Sequence, residues 1–373
     1  MSSASAAATA GPPYAPTIAG LGGTPTPKVD DPIIAVLLLF FVAGAATNMT
    51  ILQVNRRRGH KFVMSGMVFG FCMARTTALV MRIVWASRQH NVSIAIAANI
   101  FTVAGVVLLF LVNLIFTQRI VRAYRPRLGW SRPITYLFRF FFFSVPIVLI
   151  MVIPATVYSF FTLDVHKRDQ LRRVQLTATT WMALLAFLPI PVTILTILAP
   201  PRPPHHGSVE SFGRGQLRTK VGLLLFTSTV LALGAAFRAA VNFDVRPLSD
   251  PAWFDSRACY YCFNYVIEII VVYTYTISRF DRRFHIPNGS SAPGHYAAGG
   301  AVAIKEGVAD PAADRGESGV AAAGSAAAAT GPDGAVLERK TTLADRINDE
   351  SDVFGSDEEP TLNGNAIEGK SEN

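Results

Sequence analysis

The chain has 373 residues, enough for two or three soluble domains at about 100–200 residues each, but its composition excludes them. Hydrophobic residues make up 51%, charged residues only 16%, and mean hydropathy is +0.35; the apolar residues come in runs of ~20 or more, the length that crosses ~30 Å of hydrocarbon. The net charge of +9 averages a basic body (residues 1–285, net +18) and an acidic tail (286–373, net −9), and the basic residues stand in short loops between apolar runs, so membrane topology accounts for them and nucleic-acid binding does not.

Residues 1–31 are rich in Ala, Ser, Gly, Thr and Pro and read as a disordered tail. They lack the basic start, short apolar core and small-residue cleavage site of a signal peptide. Seven predicted spans follow, over 32–54, 62–86, 93–117, 134–161, 174–199, 219–241 and 258–280. The predicted fold is therefore an all-α membrane protein, a bundle of seven transmembrane helices over 32–285. Disordered N- and C-terminal tails flank it. Pro146, Pro154, Pro189 and Pro191 lie inside spans 4 and 5, where each removes a helix hydrogen bond that neighbouring helices must replace. The tail over 286–373 is rich in Ala, Gly and Ser and then acidic; too little apolar surface remains there to fold.

Loop charge sets the orientation. The odd-numbered loops and the start of the tail hold 16 Lys and Arg, among them Arg56, Arg57, Arg58, Arg119, Arg214, Arg218, Lys220, Arg279 and Arg282; the other side holds 8. This bias places the N-terminus outside and the acidic tail in the cytosol, in the plasma membrane or the vacuole. On that orientation Asn91-Val-Ser93 is an outward sequon and Asn91 a glycosylation candidate. Ser351 and Ser356, the latter before Asp357-Glu-Glu359, resemble acidophilic phosphorylation sites in a tail that would meet a cytosolic partner.

Charges at membrane depth are costly and must face the bundle interior or water. Glu268 is the only carboxylate within the predicted spans, near the middle of span 7, and shares a helix face with Tyr261, Asn264, Tyr265 and Tyr275. Arg75 lies near the middle of span 2, with Arg82 two turns further out; Arg238 lies in the outer third of span 6. The expectation is a buried cluster of Glu268, Asn264 and Arg75, with Arg82 and Arg238 forming a basic vestibule above it for an anionic head group or carboxylate. A structural ion pair that fixes helix register is the competing reading.

Catalytic equipment is missing. No predicted span carries a histidine, and Lys220, at the very start of span 6, is counted with the loop before it. Over residues 1–285 the sequence has neither a phosphate-binding Gly-rich loop nor a nucleophile elbow, and Cys259-Tyr-Tyr-Cys262 is half a zinc site without its other half. No enzyme activity, metal or cofactor is expected. The expected partners are membrane lipid and a small-molecule ligand, with no nucleic acid.

Common receptor marks are absent: Thr117-Gln-Arg-Ile-Val-Arg-Ala-Tyr124 stands where Asp-Arg-Tyr would follow span 3. Several stretches do resemble a fungal family of seven-span membrane proteins of unknown function, sometimes labelled family C-like G-protein-coupled receptors. They are Val29-Asp-Asp-Pro-Ile-Ile34, Asn55-Arg-Arg-Arg-Gly-His-Lys61, Cys72-Met-Ala-Arg75 to Arg82-Ile-Val-Trp85, Ala236-Phe-Arg238 with Trp253-Phe254, and Tyr260-Tyr-Cys-Phe-Asn264 to Glu268. The resemblance implies a receptor-like or sensor-like membrane protein. Spans 6 and 7 also resemble the fungal lipid-translocating exporters, in which a Phe-Arg pair ends span 6 with an acidic residue nearby; here Phe237-Arg238 fits and the acidic residue stands in span 7. That second resemblance implies a transporter or lipid translocator acting in resistance to amphiphiles.

Overall fold

The structure, a computed structural model, describes residues 11–14, 18–60, 62–199, 212–287, 289–290, 292–293 and 295–296. All lie in the first of two compact units, Met1–Pro311. Ser351, Ser356 and the acidic part of the tail lie outside the described residues.

Among the described residues the fold is helical, with no strand longer than an isolated bridge. In chain order it contains α1 (Pro27–Arg57), α2 (Val63–Ser87), α3 (Val92–Gly105), α4 (Val107–Tyr124) and the short α5 (Pro126–Gly129). Then follow α6 (Arg132–Ser159), α7 (Val165–Phe187), α8 (Pro189–Leu198) and α9 (Leu217–Phe243). A final continuous helical run comprises α10 (Arg257–Tyr261), one π-helical turn at Cys262–Val266 and α11 (Ile267–Ile277), with the short α12 (Phe280–Arg283) after it. Among the described residues six helices are long and apolar enough to cross a membrane: α1, α2, α3–α4 taken together, α6, α7–α8 taken together, and α9. The expected seventh span does not join them as a single α-helix, because the π turn divides it.

Each break has a local cause. Pro27 occupies the first turn of α1, where its missing N–H costs nothing. Pro189 opens α8 after a bend at Leu188, the geometry proline imposes on a helix that continues past it. Pro146 and Pro154 are absorbed within α6.

α1 packs along α2, α2 along α3, and α9 against α7 and α11. Their shared core is aromatic and aliphatic, with Phe41, Phe71, Leu109, Phe116, Leu224 and Val271 all fully buried. The outward faces carry Leu39, Phe143, Ile150 and Leu198, at least two-thirds exposed. In water that surface would drive association; against lipid tails it costs nothing. The molecule is an all-α protein with helices built for a bilayer.

Three expectations are corrected. The segment 1–31 was expected to be disordered, yet residues 18–31 are held to the bundle. Ile18 bridges Pro247, Ala19 N–H donates to Arg246, Gly22 N–H donates to Asp255, and α1 begins five residues early. Gly22 lies at φ +81°, and a Cβ there would fall 2.6 Å from Cγ of Tyr260, so only glycine seats this strap. The expected tail from 286 starts instead with Tyr296 buried against Trp130 and Phe212. Lys220, counted with the loops, lies in the first turn of α9. It is buried, donates to the Phe212 carbonyl, and sits 4.6 Å over that ring; its ammonium is an anchor for the 212–216 loop.

At the basic end of the bundle the rings of His60 and His285 meet edge to face at 4.6 Å. Burial lowers the His285 pKa, the His60 and Arg119 charges lower it further, and Asp281 opposes them. A folded pKa below the unfolded one means the unfolded chain binds the proton more readily, so stability falls as pH drops through the ordinary imidazole range. On acidification from about pH 7.5 to about 5.5 the melting temperature of the detergent-solubilised protein should decline. His285→Gln should flatten that decline; an unchanged slope would exclude His285 as its source.

Candidate functional site

Two helix interruptions meet at one carboxylate. α3 ends at Gly105, which leaves its last carbonyls without helical partners. Arg75, at the middle of α2, donates from Nη1 to the Thr102 carbonyl at 2.5 Å. The guanidinium thereby caps a helix C-terminus, where the macrodipole favours a cation. Its other edge grips Glu268 in a fork: Nε to Oε2 and Nη2 to Oε1, both 2.5 Å. Paired planar contacts of this kind are the strongest hydrogen-bonded ion pairs proteins make. Phe71 and Tyr265 rings lie 5.5 and 5.4 Å from the guanidinium carbon. Neither side chain of the pair is more than 1% exposed.

The second interruption is the π turn, which places Asn264 and Tyr265 inward and leaves the Phe263 carbonyl turned toward α9. Arg238 on α9 donates from Nη1 to Phe263 O (3.3 Å), Asn264 Oδ1 (3.3 Å) and Glu268 Oε1 (3.4 Å). Asn264 is oriented by its own Nδ2, which donates to Tyr260 O at 2.9 Å. π turns inside α-helices occur often at functional sites. Gly234 makes the approach feasible: a Cβ there would lie 3.2 Å from the Phe263 carbonyl. Gly234→Leu should push α9 off the π turn and cost about 1–3 kcal/mol. Thermal denaturation would check this, and a variant as stable as the parent would contradict the close-approach argument.

Two arginines thus share one carboxylate, and the cluster carries a net positive charge in a dry setting. Arg238, with 17% of its side chain exposed, is the least buried member.

Arg82 is elsewhere. The expected open vestibule of Arg82 and Arg238 is not what the chain builds, because each arginine already has a carboxylate. Arg82 faces Asp30 at 3.7 Å, is 1% exposed, and lies 4.1 Å over the Tyr260 ring. Its Nη2 donates to the carbonyl of Gly22 at 2.9 Å. Asp30, fully buried, also accepts from Tyr261 O–H (2.6 Å) and the Thr26 N–H (2.7 Å) and faces Arg257 at 3.6 Å. The N-terminal strap therefore occupies the space in front of Arg82. A tyrosine chain connects the two clusters: Tyr260 and Tyr265 hydroxyls are 3.1 Å apart, and Tyr265 lies 3.3 Å from Thr102 Oγ1.

Asp30 lies two residues before the predicted start of the first span at Pro32 and three residues inside the observed α1. Pro27, a first-turn proline with an acidic residue in the same turn, was the available signal.

Asn91 is exposed at the start of α3, where its Oδ1 accepts from the Ile94 N–H at 3.3 Å. It borders an open cleft of about 820 Å³ between Pro13, Pro27 and the 86–93 turn. None of the cluster residues lines that cleft, so the triad and the cleft are separate features. Among the described residues no group of three or more His, Cys, Asp or Glu could hold a metal.

Residues 202–285 match a family model described as a protein of unknown function (DUF3112). The matched stretch carries Arg238, Asn264 and Glu268, whereas Arg75, Arg82 and Asp30 precede it. No curated protein and no solved structure matches the chain.

Proposed function

We propose that this protein is a non-enzymatic, seven-helix membrane sensor for a small anion or anionic amphiphile, with the N-terminus outside and the acidic tail in the cytosol. The run 257–277 serves as the seventh crossing: ~21 residues at ~1.5 Å each span about 30 Å, and its only irregularity faces α9 rather than lipid. The observation that carries the sensor reading is the surplus charge of the triad. Arg238 holds Glu268 by a single 3.4 Å contact, while Arg75 holds it by two at 2.5 Å. A ligand carboxylate or head group can take Arg238 without breaking the stronger pair, and α9 then shifts against the π turn. Membrane lipid surrounds the bundle, and a cytosolic partner reads the tail through Ser351 and Ser356; Asn91 is glycosylated outside.

The test uses purified full-length protein in detergent with decanoate as probe. Wild-type protein should gain thermal stability with decanoate, and Arg238→Gln should lose that gain while keeping its own fold. No stabilisation of wild-type protein by decanoate or by shorter carboxylates would overturn the reading.

A transporter or lipid translocator is the second reading. Two interrupted helices converging on a charged cluster at membrane depth is the arrangement by which many transporters build substrate sites. Flux of a labelled carboxylate or lipid in proteoliposomes, abolished by Arg238→Gln, would favour it over a sensor.

A further inference from the structure

The arginines at the opposite end of the bundle from Asp30 are far less compensated than the triad. Asn55, in the last turns of α1, donates to Asp281 Oδ2 at 3.2 Å, and His60 packs on His285; these contacts draw the end of α1 onto α12. The Arg214 N–H donates to the Arg282 carbonyl at 2.9 Å, which lays the loop before α9 on the same place. Arg58, Arg214, Arg279 and Arg282 are thereby gathered where three membrane-length segments terminate. Arg58, Arg214 and Arg279 are exposed, and Arg282 is half-buried.

The countercharge is small. Asp281 is 3% exposed and both its oxygens are engaged, Oδ1 by Arg279 at 3.3 Å and Oδ2 by Asn55. Among the described residues no carboxylate pairs with Arg58, Arg214 or Arg282. The charge of Arg279 lowers the Arg282 pKa first, partial burial lowers it further, Asp281 opposes them, and Arg214 and Arg58 add smaller contributions that lower it. Like charges held together by backbone and side-chain contacts are a standing cost that a multivalent anion removes. Guanidiniums also pair bidentately with phosphate oxygens in a way ammoniums do not.

We infer that Arg58, Arg214, Arg279 and Arg282 form a binding site for a polyphosphate anion, the bisphosphorylated head group of an inositol lipid in the adjoining leaflet. Their position at helix ends sets them at head-group depth, where juxtamembrane basic clusters meet such lipids. This site is distinct from the triad and does not depend on the sensor reading. Only the lipid source rests on the orientation proposed above, because these lipids face the cytosol.

The experiment measures binding to purified full-length protein in detergent, where both ends are accessible whatever the orientation. The probes are dioctanoyl phosphatidylinositol bisphosphate, inositol trisphosphate and dioctanoyl phosphatidylserine. Wild-type protein should bind the bisphosphate lipid at least tenfold more tightly than phosphatidylserine. Arg58→Gln, Arg214→Gln and Arg282→Gln together should weaken it roughly a hundred-fold, with the ligand-free melting temperature unchanged or raised. Should the triple variant fold poorly, Arg58→Gln with Arg214→Gln, both exposed, carries the same test at a smaller loss. Inositol trisphosphate binding as tightly as the lipid supports the site and assigns it to a soluble polyphosphate. Lipid binding far tighter than the head group supports a membrane source. Equal affinity for phosphatidylserine and the bisphosphate lipid, or affinity untouched in the arginine variants, would overturn the proposal.

Discussion

Glu268→Met will destabilise the bundle more than Arg75→Met, and the double variant will recover much of what Glu268→Met loses. The ordering follows from charge. Wild-type protein buries two arginines against one carboxylate, a net of one positive charge. Glu268→Met leaves Arg75 and Arg238 facing each other with no counterion, and removing one partner of a buried pair costs about 3–5 kcal/mol, a large share of the ~5–15 kcal/mol that holds a domain folded. Arg75→Met leaves Glu268 with Arg238, already 3.4 Å away, so the remaining charges balance. Its cost comes from the lost fork and from the Thr102 carbonyl, which loses its donor at about 1–3 kcal/mol. The double variant restores the wild-type net charge and replaces a buried ion pair by side chains of similar bulk, an exchange that is often neutral or better. Melting temperatures in detergent would rank the three. A Glu268→Met protein as stable as wild type would refute the burial argument, as would a double variant worse than both singles. A double variant that folds and no longer responds to decanoate would separate the structural part of the pair from its working part.

The sequence exposed this cluster through depth. Arg75 and Glu268 fall at the middle of their predicted spans, and a charge in that position needs a partner at the same level. The same reasoning could not reach Arg238's actual role. Its register on α9 continues the buried face of Thr227, Leu231 and Gly234, but its contact with the Phe263 carbonyl depends on the π turn, and nothing in Cys262-Phe-Asn-Tyr-Val266 announces one. The break after Gly105 was equally silent, because Gly-Val inside an apolar run reads as continuous helix. Asp30 was lost to a boundary error of five residues, and with it the whole strap: once a carboxylate is placed outside the membrane, Arg82 is left looking free. Helix existence comes from the apolar run, which is long and redundant; helix ends and interruptions rest on one or two residues each, and the charged sites here are all built on them.

Asp30→Ala should release the N-terminal strap and bring down overall stability with it. Asp30 is fully buried and faces two guanidiniums, Arg82 at 3.7 Å and Arg257 at 3.6 Å, besides the Tyr261 hydroxyl and the Thr26 N–H. Arg257 is about a third exposed and can turn to water, so its loss is small. Arg82 cannot: at 1% exposure it keeps the Gly22 and Gly23 carbonyls and the rings of Tyr260, Tyr261 and Trp85, none of them a carboxylate. A buried charge left in that state costs about 3–5 kcal/mol, and the cheapest relief is for the strap to lift and admit water. Chymotrypsin should therefore cut after Leu21 in the variant at temperatures where the helices remain folded, and leave the parent intact there. Asp30→Asn keeps acceptors for Tyr261 and Thr26 but not the charge, and should fall between the two. If Asp30→Ala melts like the parent and resists cleavage at Leu21, the strap is held by its backbone bonds to Arg246 and Asp255 alone. If it is cleaved early and Arg82→Met on the same background reverses the cleavage, the buried charge is what the strap exists to cover.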